Sequence, residues 1–522
     1  MSYIGAFPFL KDAPAVLGFE QMIMVITIMS KRHPDRVLSR GAVDRRRIIF
    51  GGLAVHDRKH PASSVSQGRL GADGRAGVDD EVDDGTEEDT DDLILEALDY
   101  LDVASSFNRE ETPSIHDEAM VPSDNLRKLI MLLLLIAPLG PQESLSLHSG
   151  RVSGAALESL RSTAECILAS FVDVERSPGI KFHRFNTVVP SSMPFIFDGF
   201  TPLFEHFLFS NQLDFHKRID GTNDVPVDPE ATQPLLQDTA SIMSLDIVSQ
   251  LSFFVPGTSL FRRLRLLYSG DEDGFSMGTF ETKVFNWRAP TILLVRGNRL
   301  SEDDRFRKSR GSESAFLSAL PPRRLRAGGS DRESLTFGLY VNQPWKHTHR
   351  ECFGGEDMRL FQLSPIHDVF HASTLNKDYV SFTKPSPSTS NPGIFVGCPL
   401  PKLTQTYRRS STIAVGPVSL ILDENFEFGC FTHDCTSRGG AFQPSAARTF
   451  DFQERFEIES LEVWGCGGDE EARHQAERWA WEAREAEARR RINLGTGDIE
   501  ADRALLEMAG LVGGNRSGGS VV

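Results

Sequence analysis

Apolar residues recur three and four positions apart in two stretches of the first half of this 522-residue chain, which is the spacing of amphipathic helices. They predict an N-terminal helical segment at residues 1–55 and a helical domain at residues 91–219. The intervening residues 56–90 are rich in Gly, Ser, Asp and Glu, so we predict an acidic disordered linker there. The periodic positions are Phe19, Met22, Ile23, Ile26, Met29, Leu93, Leu95, Leu98, Leu101, Leu126, Leu129, Ile130, Leu133 and Leu134.

The pattern changes to short apolar or alternating runs after residue 247, beyond a second predicted linker at residues 220–239. Eight such runs bounded by turns predict strands and indicate a β-sandwich-like domain at residues 240–466. The predicted strands are Leu264–Tyr268, Thr291–Val295, Leu335–Val341, Arg359–Leu363, Tyr379–Phe382, Gly393–Val396, Val418–Leu422 and Arg455–Val463. The expected fold class is therefore α+β, with helices first and a sandwich second.

Residues 298–334 interrupt the strands with Ser, Gly and Arg, and we predict a disordered basic insertion there. Its basic side chains include Arg305, Arg307, Lys308, Arg310, Arg323, Arg324 and Arg326. Without interleaved aromatic residues, this insertion lacks the pattern of a single-strand binder, and we expect no direct contact with nucleic acid.

Residues 467–522 are expected to form C-terminal helices followed by a Gly/Ser tail. Acids and bases alternate here, with Glu485–Arg489 and Glu487–Arg491 in the favourable order four residues apart. A narrow apolar stripe also follows the first helix. It consists of Ala472, Ala476, Trp479, Ala483 and Ala486. The sequence leaves two interpretations open, an exposed helix bearing ion pairs or an element that docks on a partner.

The net charge of the chain argues against some classes of function. The chain carries 73 acidic and 56 basic side chains, a net charge of −17, which argues against a protein that grips nucleic acid or anionic lipid through its overall field. Thirteen of the acids lie between Asp79 and Asp102 with no Lys or Arg among them. The rest of the chain is therefore nearly neutral.

Cysteine content and hydropathy both suggest a cytosolic protein. The six cysteines include no C-x-x-C pair, so we expect reduced thiols. The longest apolar run, Leu129 to Ala137, is far shorter than the ~20 residues that cross a bilayer, so no transmembrane segment is expected. N-myristoylation requires Gly directly after the initiator Met, and Ser2 occupies that position. We therefore expect no myristoylation signal in the sequence as given.

One motif suggests catalysis. Residues Gly274 to Gly278 match G-x-S-x-G, the pattern of a hydrolase nucleophile elbow with Ser276 as nucleophile. That chemistry requires the serine on a sharp turn directly after a strand, whereas four residues separate the predicted strand from this motif. The alternative is that Ser276 caps a short helix whose inner face is Met277, Phe280 and Val284.

Two metal hypotheses also arise. His367 and His371 are four apart, as in helical zinc sites, but Asp368 stands where the catalytic version needs Glu, and the flanking residues favour strands. Two further groups have zinc-ligand atoms without a partner pair at finger spacing. They are His347, His349 and Cys352, and Cys430, His433 and Cys435. Packed or surface side chains are the default interpretation.

A calcium loop can be sought at Asp173, Glu175 and Ser177 before Ile180. In that alignment the sixth position is Pro178 instead of Gly, and the twelfth is Arg184 instead of a bidentate Glu. A cation at the last position opposes calcium, so we expect a degenerate loop.

The order of strands and turns resembles the signature of a TLDc domain over about residues 240 to 466. The matching residues are Tyr268, Ser269, Gly274, Phe275, Ser276, Phe337, Gly338, Gly429, Thr449, Phe450, Glu462, Val463 and Trp464. The helical region and the segment Asn493 to Asp502 resemble the fungal restriction of telomere capping protein 5 family. In this family additional EF-hand-like sequence lies upstream, and some members carry Gly after the initiator Met. The resemblance therefore leads us to expect that Met1 corresponds to a point within the helical domain.

The resemblance implies a two-sheet β-sandwich with flanking helices, preceded by a degenerate EF-hand-like region. It implies no catalytic residues, no cofactor and no metal. It also implies a non-enzymatic regulatory or adaptor protein linked to oxidative-stress resistance, with the peripheral sector of the vacuolar proton-pumping ATPase as partner. The expected location is the cytoplasm, with recruitment to the vacuolar membrane through partners. A serine hydrolase using Ser276 is the alternative function, and direct binding to telomeric DNA is a third.

Overall fold

The computed structural model of the chain describes much of the helical domain and most of the β-domain. The described residues are 4, 17–31, 45–55, 119–140, 143, 145–171, 179–209, 234–256, 260–300, 311–322, 333–348, 350–385, 392–400, 412–467 and, in part, 471–485. The predicted acidic linker, the Leu93–Leu101 helix, the calcium-loop positions before Gly179 and the basic residues of the insertion lie outside these ranges.

Helices predominate before residue 210, as the apolar spacing predicts. They are α1 Phe19–Met29, α2 Arg45–Leu53, α3 Ser123–Ile136, α4 Gly154–Leu168, α5 Phe182–Ser192 and α6 Phe200–Phe209, with a 3-10 helix at Leu145–Val152. Their apolar faces meet in one cluster around Phe50, Phe171 and Phe185, all fully buried. The helical region therefore has a core of its own.

Two short strands accompany these helices. β1 Met120–Pro122 and β2 Gly179–Lys181 pair antiparallel, with Val121 opposite Ile180. β1 leads directly into α3 and β2 leads directly into α5. Two strand-to-helix units joined in this way are consistent with the degenerate EF-hand-like region expected from the sequence.

The described residues of the β-domain form ten strands and four helices. The helices are α7 Leu245–Leu251, α8 Gly270–Asp273, α9 Met277–Val284 and α10 Ser312–Ala319. The strands are β3 Leu264–Ser269, β4 Thr291–Arg299, β5 Ser334–Val341, β6 Arg359–Ser364, β7 Asp368–His371, β8 Val380–Thr383, β9 Gly393–Val396, β10 Val418–Asp423, β11 Phe428–His433 and β12 Phe452–Cys466. All pairings between them are antiparallel. The α+β class is confirmed.

The last strand joins the two layers of the sandwich. One edge of β12 pairs with β4 along residues 456–465, while the other pairs first with β11 and then, from Glu462, with β3. The strand order is β7-β6-β5-β4-β12-β11-β10-β9-β8. Two strands separate β5 from β11, about 14 Å in a flat sheet. The rings of Phe337 on β5 and Phe431 on β11 nevertheless stack at 4.6 Å between centroids, so the sheet folds over on itself.

Two strands and one helix differ from the sequence-based expectation. β7 and β11 were not among the predicted strands, because Asp368, Gly429 and Cys430 interrupt their apolar pattern. The prediction of a disordered insertion is wrong for α10, because Phe316 and Leu320 are buried against the sheet. The insertion's first and last residues also belong to β4 and β5.

The second linker also ends earlier than predicted. Leu235 accepts a backbone hydrogen bond from Arg262 at 2.7 Å, and the Asp238 carboxylate accepts one from the Leu266 amide at 2.8 Å. Leu235 and Leu236 pack against the apolar cluster of α7 and β3. Residues from 235 onward are therefore part of the β-domain.

Candidate interaction site

The turn after β3 is built from the first group of signature residues. The Tyr268 hydroxyl donates to the Gly274 carbonyl at 2.8 Å, and burial raises the pKa of this phenol to about 12. Gly274 has a φ of +83°, a left-handed conformation that favours Gly. Phe275 lies over Gly270, where an added Cβ would meet its ring at 2.6 Å. These residues shape the turn.

Ser276 caps α9. Its hydroxyl accepts a hydrogen bond from the Gly278 amide at 3.2 Å, and Met277, Phe280 and Val284 are buried on the inner face of the helix. Helix α8 separates the serine from the end of β3, so Ser276 does not stand on a strand-to-helix elbow. Within the described part of the chain, no histidine hydrogen-bonds its hydroxyl. The geometry supports the helix-cap interpretation.

Glu462, on β12, is the second signature element and is completely buried. Its carboxylate accepts from the amides of Ile242 and Met243, the latter at 3.1 Å, and from the indole nitrogen of Trp464 at 2.9 Å. The carboxylate therefore fastens the segment before α7 to the sheet. Its full set of donors gives it a structural role.

The remaining signature residues lie in the sheet core and at one loop. An added Cβ would lie 2.4 Å from the Phe361 ring at Gly338 and 2.3 Å from the Phe456 ring at Gly429, so the two glycines permit close aromatic packing. Thr449 and Phe450 are exposed and contribute backbone carbonyls to Cys435 and His433. Phe450 is 54% exposed and is the only aromatic residue of the signature with its ring largely in solvent.

His433 and His347, two of the candidate zinc ligands, bind protein groups instead, and His349 lies outside the described residues. His433 donates from Nδ1 to the Phe450 carbonyl at 3.1 Å and accepts at Nε2 from the Ser445 amide at 3.0 Å. His347 contacts the Glu281 carboxylate at 2.6 Å. In the described ranges no three His, Cys, Asp or Glu side chains lie close enough to hold a metal.

None of the six cysteines forms a disulfide. Burial raises the pKa of Cys398 and of Cys466 to about 12, so both thiols are protonated at neutral pH and are poor nucleophiles. This agrees with the reduced state expected from the sequence.

His367 and His371 join the β-domain to the helical domain. His371 Nε2 contacts the Ser191 carbonyl at 2.5 Å, and His367 Nε2 contacts the Ser192 carbonyl at 3.1 Å. Both carbonyls belong to the last turn of α5, where helix carbonyls have no partner within the helix. A strand holds His371, as the sequence predicts, but the shared contact with α5 was not foreseen.

Buried ion pairs also connect the β-domain to the helical domain, and we call this interface the joint. Arg151 of the 3-10 helix donates to Asp246 of α7 at 2.8 Å, and Ser159 of α4 donates to the same carboxylate at 2.7 Å. Arg262 of the β-domain pairs with Glu143 of the helical domain. Arg184, the twelfth position of the degenerate calcium loop, donates to the Ala447 carbonyl at 2.7 Å. A residue type that opposes calcium therefore serves as an interdomain contact.

The C-terminal helix begins against the β-domain, and most of its later described residues are exposed. Ala472 packs against the sandwich core beside Phe285 and Ala289. Farther along, Arg473 and Glu477 are exposed and form an ion pair, and Trp481 is 54% exposed. No helix in the described segments is long and apolar enough to span a membrane. The exposed part of this helix and the Phe450 loop are the candidate interaction surfaces.

Comparison with known proteins agrees with these features. The TLDc domain family matches residues 236–467. Over its whole length the chain is 60% identical to restriction of telomere capping protein 5 of Neurospora crassa and covers 86% of that protein. It is 56% identical to the protein of the same name from Colletotrichum graminicola and 53% identical to that from Pyricularia oryzae, covering 87% of each.

Proposed function

Because this chain belongs to the restriction of telomere capping protein 5 family, we propose that it is a non-enzymatic regulatory or adaptor protein that binds the peripheral sector of the vacuolar proton-pumping ATPase. Its TLDc domain at residues 236–467 is the common element of the wider family. The signature residues are proposed to maintain the fold that presents the partner-binding surface.

The observation that carries the non-enzymatic role is that three polar signature side chains, Tyr268, Ser276 and Glu462, are engaged in internal hydrogen bonds. Glu462 is saturated by three donors, Tyr268 donates to a backbone carbonyl, and Ser276 caps a helix. A catalytic nucleophile needs a neighbouring base and an open approach for substrate. Residues committed to internal contacts support a scaffold instead.

The C-terminal helix is the proposed contact with the partner. Its first turn contacts the sandwich core through the partly buried Ala472. Beyond that turn the helix presents Trp481, and large aromatic residues are enriched among the side chains that dominate binding energy. A first turn in contact with the domain and an exposed aromatic residue are what a docking helix requires.

The proposed location is the cytoplasm, with recruitment to the vacuolar membrane through the ATPase. The name of the relatives links them to telomere capping, and we propose that for this chain the link is indirect. A chain with a net charge of −17 is a poor match for DNA phosphates. In a gel-shift titration with telomeric repeats, we expect no salt-dependent complex.

Affinity purification tests the proposal. The full chain, mixed with purified peripheral sector of the vacuolar ATPase, should recover its subunits, and Trp481→Ala should reduce recovery at least tenfold, as expected for loss of an aromatic anchor worth about 2 kcal/mol. Phe450→Ala is the parallel variant for the other candidate surface, because Phe450 and Trp481 are both 54% exposed.

The outcomes separate two levels of the proposal. No recovery by the full chain would contradict the partner. Equal recovery by the full chain, by Trp481→Ala and by residues 1–466 would remove the C-terminal helix from the contact while leaving the partner in place. Loss with Phe450→Ala alone would transfer the contact to the loop before β12.

A further inference from the structure

Helix α5 is fastened to the β-domain at both ends. In its first turn, Arg184 donates a hydrogen bond to the Ala447 carbonyl. In its last turn, two backbone carbonyls accept hydrogen bonds from two histidine side chains. Those imidazoles belong to His371 on β7 and to His367 just before it. The helix belongs to one domain and its end contacts to the other, so these bonds couple the two domains directly.

The hydrogen bonds of His367 require a neutral ring. The Gln250 side-chain amide donates to the Leu363 carbonyl at 3.2 Å and meets His367 Nδ1 at 3.1 Å, so Nδ1 accepts. Nε2 then carries the proton and donates to the Ser192 carbonyl. One tautomer therefore satisfies both partners, and no site is left for a second proton.

Protonation would break this arrangement. A proton on Nδ1 would face the Gln250 N–H, placing two donors against each other at a ring with 0% exposure. The charged groups acting on the ring are Asp368 and Arg448. They oppose each other, and the Asp368 carboxylate is already bound to Arg448 Nε at 2.8 Å. Among the described residues, Asp368 is the carboxylate acting on this ring, and its bond to Arg448 leaves it poorly placed to stabilise an imidazolium.

His371 has a similar but less buried environment. Its ring nitrogen donates to the Ser191 carbonyl, and the charged groups acting on it are Arg359 and Asp368. Burial lowers the pKa of His371, as it lowers that of His367 to about 4. The hydrogen bonds of His367 therefore hold a neutral ring while α5 is docked, and burial favours the neutral form of His371 as well.

We propose that the contact between the end of α5 and the two imidazoles is an acid-sensitive latch, which releases α5 from the β-domain when the histidines are protonated. The docked site accepts only the neutral ring of His367, whereas a released ring is free to take up a proton in water. Acidification thus favours release and separates the helical domain from the β-domain at this face.

The direction and size follow from linkage. A histidine whose pKa is lower in the docked state stabilises docking above about pH 6.5, and this contribution is lost as the pH falls toward 4. At pH 5.0 the released form of His367 is mostly protonated and the docked form is not. The opening equilibrium should therefore rise about 30-fold between pH 7.5 and 5.0 from His367 alone.

Hydrogen–deuterium exchange of the full chain tests the latch. After correction for intrinsic exchange rates, the protection of α5 (residues 182–192) should fall at least tenfold between pH 7.5 and 5.0, while the inner strand β10 keeps its protection. In His367→Gln/His371→Gln, the amide can replace the Nε2 donor but does not titrate, so α5 protection should no longer depend on pH. His183→Gln is the matched control, since His183 is exposed on the same helix, and it should behave as wild type.

Two results would overturn the proposal. One is equal α5 protection at the two pH values in the wild-type protein. The other is a double variant that keeps the wild-type loss of protection. If the double variant does not fold at pH 7.5, the wild-type protein alone decides. Loss of amide protection at pH 5.0 in α5 but not in β10 supports release, whereas equal loss in both elements indicates global unfolding and contradicts the proposal.

Discussion

Two buried regions of this molecule are held together by different chemistry. The interior of the β-domain is filled by aromatic and aliphatic side chains, such as Phe337 and Phe431 with their rings 4.6 Å apart. The joint between the β-domain and the helical domain also includes apolar contacts, from Phe253 and Ala447. Its specific contacts, however, are ion pairs and histidine–carbonyl bonds.

The difference shows which contacts a change of conditions can break without unfolding a domain. Apolar burial depends little on pH and is lost only when the domain unfolds. Buried ion pairs and neutral histidines balance a desolvation penalty against their bonds, so removing one partner or adding one proton changes the sign of their contribution. The sandwich is therefore a permanent scaffold, and the joint is the region where a change of conditions can act.

The largest expected effect tests a buried charged group that anchors the scaffold, the Glu462 carboxylate. Glu462→Ala would leave the amides of Ile242 and Met243 and the Trp464 indole without an acceptor in a buried site. Each unsatisfied donor costs about 1–3 kcal/mol, so the free energy of unfolding should fall by about 4–5 kcal/mol. Urea unfolding followed by tryptophan fluorescence measures it, because all five Trp residues lie in or after the β-domain.

The control for this change is Glu459→Ala, on the same strand with an exposed side chain. It should alter the free energy of unfolding by less than about 0.5 kcal/mol. Equal effects of the two substitutions would mean that the buried carboxylate is not an anchor. The stability of the sandwich would then depend on its apolar interior and not on Glu462.

The next prediction concerns a buried ion pair at the joint. Asp246→Ala removes the acceptor of a nearly buried guanidinium, that of Arg151. An unpaired buried charge costs about 3–5 kcal/mol, and we expect a loss of about 3 kcal/mol because the Leu134 carbonyl still accepts from Arg151. Arg151→Met/Asp246→Ala should recover part of that loss, since both charges are then absent.

A surface ion pair provides the reference for the joint. Arg161 and Glu165 of α4 lie 3.2 Å apart with both side chains about half exposed. Arg161→Ala should change the free energy of unfolding by no more than about 0.5 kcal/mol in urea titrations. If the double variant at the joint were as unstable as Asp246→Ala alone, lost packing and not the unpaired charge would explain the effect.

A smaller effect tests the close packing inside the sandwich. In Gly338→Ala the added Cβ would lie 2.4 Å from the Phe361 ring and 2.8 Å from the Leu293 carbonyl. Overpacking of this kind costs about 1–3 kcal/mol, so thermal unfolding should occur at a lower temperature. Gly278→Ala is the opposite case, because its Cβ would meet nothing closer than the Ser276 hydroxyl at 3.6 Å. It should stabilise the protein by about 0.5 kcal/mol.

The two regions also differ in how far the sequence predicts them. Strands such as Val418–Asp423 are continuous apolar runs and were recognised, and the signature around Tyr268 and Glu462 identified the domain. The partners of Glu462 were not predicted, because its donors at Ile242 and Met243 lie about 220 residues upstream. Local patterns report burial and period, and they carry no information on which distant group meets a side chain.

The joint shows this limit most clearly. Arg151 and Asp246 are 95 residues apart, and each alone resembles an ordinary surface charge in the sequence. The spacing of His367 and His371 was noticed, but their acceptors lie 175 and 180 residues earlier on another domain. Helix α10 was missed for a related reason, since only Phe316 and Leu320 of its neighbourhood reveal a buried face.

The smallest effect decides between the two interpretations of Ser276. As a helix cap, Ser276→Ala should lower the free energy of unfolding by about 1 kcal/mol, and Ser276→Asp should restore it because Asp also caps helices. As a nucleophile, the serine would be labelled by a fluorophosphonate probe, and Ser276→Asp would abolish labelling whatever its stability. We expect no labelling of the wild-type protein. Labelling that disappears in both variants would contradict the scaffold assignment, because a reactive serine requires a base that the described contacts of Ser276 do not provide.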